Sequence, residues 1–138
     1  MQVADDYTLL IPDRRGNNRL DTLKNLVRNP SVGLLFLVPG VNEAFRVNGE
    51  ATLSHDPALL ERFVVQGKAP RTVLVVKVKE AYIHCSRALV RADLWNPAKN
   101  ARATVPSMGT IMAAHTCGFV EAKAFDEDAK TTVPATLY

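Results

Sequence analysis

Apolar and polar positions along this chain fall into short blocks, and each block predicts one element. Tyr7 to Ile11 (YTLLI) predicts a strand closed by Pro12. Asp13 to Asn18 is a polar loop containing Gly16. Arg19 to Arg28 then reads as a helix, with Leu20, Leu23 and Val27 on one stripe and Leu26 beside them. Asn18 is placed to cap it, and Asn29-Pro30 to end it. Val32 to Val38 (VGLLFLV) is almost uniformly apolar, which predicts a strand covered on both faces.

Pro39-Gly40 marks a turn, and Ala44 to Leu53 predicts the next strand, with Gly49 inside it as a bulge or close backbone approach. Asp56-Pro57 opens a helix through Leu59, Leu60 and Phe63, with Asp as cap and Pro at the first position. Thr72 to Cys85 is a long strand rich in β-branched residues. Its lysines alternate around Val78, so one face there is wet. Ser86 to Trp95 reads either as a short helix or as continued strand. Pro106 to His115 predicts a helix, and the stretch from Glu121 onward reads as a polar, mobile tail. The order of elements and the tight turn signals predict a mainly β chain with peripheral helices (α+β), an antiparallel barrel over residues 1–118 followed by a tail over 119–138.

Composition narrows the class. The 138 residues suit one domain with a core of its own. Lys and Arg number 17 against 14 Asp and Glu, for a net charge of +3. That excess is too small to argue for nucleic acid, and the aromatics that would stack bases are not interleaved with the cations. The longest apolar run is too short to span a membrane. Two cysteines, Cys85 and Cys117, make neither a disulfide framework nor a zinc site, and a reducing cytoplasm is the expected setting. Three scattered histidines have no metal-ligand spacing, so no metal is expected. No dinucleotide, P-loop or hydrolase nucleophile motif is present.

Candidate chemistry concentrates before the first helix. Arg14, Arg15, Gly16, Asn17, Asn18 and Arg19 precede a helix N-terminus, where free backbone N–H groups and the dipole favour an anion. Arginine forks match phosphate oxygens, and glycine admits close backbone approach. A solvated, capped loop is the competing reading of the same residues. Elsewhere, His84 and Cys85 are neighbours on a strand and face opposite sides, which excludes a Cys–His nucleophile; Cys85 reads as a small core residue. Arg87 and Arg91 would share a helix face. Arg46 either lines a groove or pairs across the sheet. Trp95 either covers a core edge or serves an interface.

Three stretches, "IPDRRGNNRLDTLKNLVRNPSVGLLFLVPG", "RVNGEA" and "YIHCSRALVRADLW", resemble in that order the pyridoxamine 5′-phosphate oxidase-like family, closest to its bacterial branch of general FMN-binding proteins. The resemblance runs from about Asp5 to His115. It implies an FMN-binding split β-barrel working as a homodimer, with flavin at the subunit interface. It implies that Arg14, Asn17, Asn18, Arg19 and Lys24 hold the FMN phosphate. Ile11 and Pro12 would lie along the flavin, and Trp95 would approach it from the partner subunit. The implied activity is an FMN-dependent oxidoreductase acting on an unassigned small molecule, with NAD(P)H as a candidate electron donor and no assigned catalytic side chain. The alternative is a non-catalytic protein that binds flavin, a related cofactor or a tetrapyrrole. Family members usually carry a helix and two barrel strands before the region matched. The resemblance therefore implies an N-terminally truncated barrel that begins at the third strand. The Arg/His motif with which the vitamin-making oxidases bind substrate is not visible, so pyridoxamine phosphate is not assigned.

Overall fold

The computed structural model describes residues 1–14, 16, 19–99 and 104–137. These form two compact units, Met1–Trp95 and Asn96–Leu137.

The first unit is built on one antiparallel sheet. Strand β1 (Gln2–Asp5) and strand β2 (Thr8–Asp13) make a hairpin. Its turn is tied by the Asp5 carboxylate, which accepts from the Tyr7 amide at 2.9 Å. Helix α1 (Asp21–Arg28) leads to β3 (Ser31–Phe36), β4 (Ala44–Ser54), helix α2 (Pro57–Glu61), β5 (Thr72–His84) and helix α3 (Arg87–Ala92). The sheet order is β1-β2-β5-β4-β3, so β5 is central and β1 and β3 are the edges. β1 was not expected: its four residues are all exposed, so QVAD carries no alternation to betray a strand.

Opposed residues in an antiparallel ladder share a face, and the two faces differ. Leu9, Val76 and Ala51 lie in one row of the inner face, which Leu26 of α1 helps to cover. On the outer face α2 and the turn after it cover one end, where Leu10, Phe63 and Val73 cluster. Val73 and Val76, adjacent to either side of the central strand's pleat, are wholly inaccessible to solvent. Burying each contributes roughly 1.5–3 kcal/mol. Gly49 provides the expected bulge: the β4–β5 register shifts between Asn48 and Gly49. A Cβ on Gly49 would lie 2.2 Å from the Lys77 carbonyl oxygen, so no larger residue fits that approach. Lys77 and Lys79, flanking Val78, are exposed as the alternation predicted.

Three expectations for this unit need correction. The α1 cap is Leu20, not Asn18, because the helix starts only at Asp21; Asn18 itself lies outside the described residues. Of the α1 stripe only Leu26 is buried, while Leu20 and Val27 are exposed, since the helix meets the sheet along a narrow line on β4. β3 is not covered on both faces. It is an edge strand in which only Val32, Leu34 and Phe36 pack inward; Leu35 is 56% exposed and Val38 54%.

The second unit holds a 3₁₀ turn (Pro97–Lys99), helix α4 (Met108–His115) and helix α5 (Ala122–Ala135). The sequence assigned residues 119–138 to a polar tail, but α5 occupies 14 of them. Glu121 caps it, accepting from the amides of Lys123 and Ala124. The polarity that suggested a tail belongs to a helix packed along one side. α4 and α5 cross closely at Gly109, whose amide donates to Asp126 Oδ1 at 2.8 Å.

Candidate functional site

The segment between β2 and α1 carries the expected cations, and the structure gives each described one a distinct role. Arg14 continues the β2 strand just past its hydrogen-bonded end. Its Nη2 donates to the Phe63 carbonyl oxygen at 2.6 Å, fastening the end of β2 to the turn after α2. Gly16 is exposed, and a Cβ there would meet nothing within 4 Å, so its backbone faces open space. Arg19 Nε donates to Asp21 Oδ2 at 2.8 Å in an ion pair exposed on both sides. Lys24 is exposed on the first turns of α1. Asn17 and Asn18, the remaining expected phosphate ligands, lie outside the described residues, as does Arg15.

The N-terminus of α1 itself is suited to an anion. Leu20 at the cap has no side-chain oxygen, and among the described residues no side chain caps the helix. By contrast α2 and α4 each have a capping side chain, from Asp56 and Ser107. Asp21 opposes an anion in the first turn, but its charge is matched by Arg19. Helix amides that no described side chain caps, an open glycine backbone, and the guanidinium groups of Arg14 and Arg19 form a donor set whose chemistry fits a phosphate.

Ile11 and Pro12 stand at the end of β2, paired with Leu74 and Val73 of β5, and both are half-buried. They face opposite sides of the sheet, Ile11 inward with the core and Pro12 outward. Trp95 is half-buried, and its indole Nε1 donates to the Val41 carbonyl oxygen at 2.7 Å. The indole N–H is thus used within its own chain, tying the end of α3 to the β3–β4 loop. His84 and Cys85 are both exposed, which corrects the reading of Cys85 as a core residue; it follows the last ladder residue of β5. The stretch from Ser86 is helical, and Arg87 and Arg91 are exposed at its start and end.

The sequence did not show an open apolar trough on the inner face. Met1 and Val3 on one sheet edge, Phe36 and Phe45 on the other side, and Val78 and Ala81 between them line a cavity of about 240 Å³. Its lining thus includes residues of both edge strands, β1 and β3. Among the described residues no cluster of three His, Cys, Asp or Glu is placed to hold a metal, and no helix is long and apolar enough to cross a membrane.

Comparison with known proteins agrees with this architecture. Two crystal structures of tagged HupZ from Group A Streptococcus, one of them a His-to-Ala variant, share the fold with TM-scores of 0.51 and 0.52. The alignment with the variant covers 61% of this chain and 72% of the HupZ chain, and that with the other covers 60% and 67%. Identity is 17% in both, so the likeness concerns the fold alone. No curated protein matches. The family model described as pyridoxamine 5′-phosphate oxidase matches residues 1–85, which span the whole sheet and both flanking helices α1 and α2. The five-stranded antiparallel sheet with its peripheral helices is thus the α+β core of that fold, and the chain belongs to the pyridoxamine 5′-phosphate oxidase family.

Proposed function

We propose that this chain is an FMN-binding protein that holds the cofactor phosphate at the start of α1, and that it acts as an FMN-dependent oxidoreductase in a homodimer. The observation that carries the reading is the N-terminus of α1, which no side chain among the described residues caps, behind Arg14, Gly16 and Arg19, in a chain of this family. The helix amides and the two guanidinium groups neutralise and orient the phosphate. Asn17 and Asn18 add amide donors from the same loop, and Lys24 adds a positive charge one turn into the helix. Ile11 and Pro12 lie along the flavin ring. Trp95 reaches the flavin from the partner subunit, with its ring rather than its N–H, which Val41 already takes.

Bound FMN would supply the hydride and electron chemistry. The chain's part is to anchor, orient and shield it. The same site without an electron donor describes a non-catalytic flavin or tetrapyrrole carrier, and one experiment separates the two. The purified chain is expected to show a flavin absorbance spectrum, or to acquire one on adding FMN. Replacing Arg14 and Arg19 by Ala is expected to weaken FMN binding at least tenfold. Bleaching by NADPH or NADH, followed by reoxidation with a small-molecule acceptor, supports the enzyme; binding without bleaching supports the carrier. A chain that takes up no FMN overturns both flavin readings.

A further inference from the structure

The two edges of the sheet are guarded differently. β1 shifts its register against β2 between Val3 and Asp5, and it carries a charge at Asp5. Bulges and charges are two of the devices that keep a free edge from pairing. β3 has neither. Ser31–Phe36 holds no charged residue and no proline, and it runs against β4 without a register shift. Hollows of about 270 Å³ beside Asn25 of α1 and about 410 Å³ beside Asn48 and Glu80 border Ser31 and Gly33, so this edge is open to a partner.

Strand alternation says which backbone groups of β3 are free. The Ala51 amide donates to the Pro30 carbonyl oxygen at 2.8 Å, and Ser31 stands opposite Glu50. Pro30 therefore faces β4 with its carbonyl, and by alternation Val32, Leu34 and Phe36 turn their N–H and C=O groups the same way. Ser31, Gly33 and Leu35 turn theirs outward. Asn29 Oδ1 takes the Ser31 amide at 3.0 Å. Among the described residues nothing takes the outward groups of Gly33 and Leu35.

We propose that β3 docks a second copy of the chain, by antiparallel β3–β3 pairing about a two-fold axis that sets Leu34 opposite the partner's Leu34. This register uses the free groups. Gly33 exchanges both N–H···O bonds with the partner's Leu35, and the two-fold repeats the exchange. Centring the pair on Val32 or Gly33 instead would call on the Ser31 amide, which is already taken. On the inner face Val32 meets the partner's Phe36, so apolar side chains oppose apolar ones. On the outer face the exposed Leu35 lies beside the partner's Gly33, which has no side chain to crowd it. No charge of either strand enters the contact. The contact also closes on itself: β3 set on β1 of the next copy would leave another β3 free and grow without limit, and the bulge and Asp5 of β1 oppose it. This pairing rests on, and specifies, the homodimer proposed above, but it does not depend on FMN.

The test is sedimentation of the full chain over a wide concentration range, with amide hydrogen exchange followed by NMR. A monomer–dimer equilibrium is expected, in which the Gly33 and Leu35 amides gain protection as the dimer forms while those of Val32 and Leu34 are protected throughout. Leu35→Pro removes an outward N–H and leaves the β3–β4 ladder intact, and Leu35→Lys adds a charge to the edge. Each is expected to weaken the dimer roughly tenfold or more, with Val32 and Leu34 still protected. Ile83→Lys, at an exposed apolar site on β5, is expected to leave the dimer unchanged. A monomer at every concentration overturns both the pairing and the homodimer, and an FMN titration of the same sample still decides the cofactor. A dimer whose Gly33 and Leu35 amides stay unprotected, or which Ile83→Lys weakens as much as Leu35→Lys does, uses another face and overturns the pairing alone. Growth beyond the dimer overturns the closed two-fold contact. So does protection of Gly33 and Leu35 that persists on dilution to monomer.

Discussion

Arg14 Nη2 donates to the carbonyl oxygen of Phe63 across 49 residues of sequence, at 2.6 Å. The bond joins the end of β2 to the turn after α2, over the outer cluster of Leu10, Phe63 and Val73. A charge-assisted bond in a half-buried place contributes about 2 kcal/mol. Arg14→Ala is therefore expected to lower the melting temperature by several degrees without any cofactor present. The Arg19–Asp21 ion pair is exposed on both sides, so Arg19→Ala is expected to lower the melting temperature less than Arg14→Ala does. A calorimetric comparison of the two variants separates structural from ligand effects in any flavin titration.

Gly49→Ala is expected to be severely destabilising, by about 3 kcal/mol. The added Cβ would lie 2.2 Å from the Lys77 carbonyl oxygen, a backbone atom that cannot step aside without breaking the bulge. The urea midpoint checks this. An alanine that left the midpoint unchanged would mean that the β4–β5 ladder tolerates a wider spacing.

Gly109→Ala tests the second unit through the sign of its effect. In an exposed helix the change stabilises by about 1 kcal/mol. At Gly109 the new Cβ would lie 2.1 Å from the Ala122 carbonyl oxygen and 2.8 Å from Asp126 Cγ. The helices would have to part and lose the Gly109–Asp126 bond, so the helical circular-dichroism signal is expected to melt at lower temperature, not higher.

The hairpin of β1 and β2 is expected to weaken in acid. The Tyr7 amide, the Thr8 hydroxyl and the charge of Lys77, the amide chiefly, hold the Asp5 carboxyl below its ordinary value. A carboxyl with a folded value below its unfolded one adds stability above the unfolded value of about 3.9. That contribution fades as pH falls from there through the lowered folded value. The protection factors of the Gln2–Asp5 amides, exchange rates taken relative to the unfolded chain at the same pH, are expected to fall over that window in the native protein. Asp5→Asn is expected to flatten the dependence.

Local pattern was enough for most elements. Asp56-Pro57 names its own helix start because a cap and a fixed φ act within one turn. Gly49 announced a close approach, and the bulge is there. The long run of β-branched residues from Thr72 became the central strand. Where reading failed, the deciding partner lay elsewhere. β1 is a strand only because β2 offers it a ladder, and α5 is a helix although its polar residues resemble a tail.

The candidate site divides the same way. The run from Arg14 to Arg19 is legible as a basic loop before a helix, and so as a candidate anion site, because helix-end chemistry is local. The use of Arg14 on Phe63, of Trp95 on Val41, and of Asn48 on Glu80 are not, since each joins residues at least 32 apart.

By itself, then, the order of residues determined the succession of strands and helices, the bulge at Gly49 and the basic loop before α1, because each arises from interactions within a few residues. The tertiary structure alone decided which apolar strand became an edge, which distant groups the side chains of Arg14 and Trp95 bond, and where the inner face stayed open. Those outcomes depend on strand order and register, which bring together groups that the sequence keeps far apart.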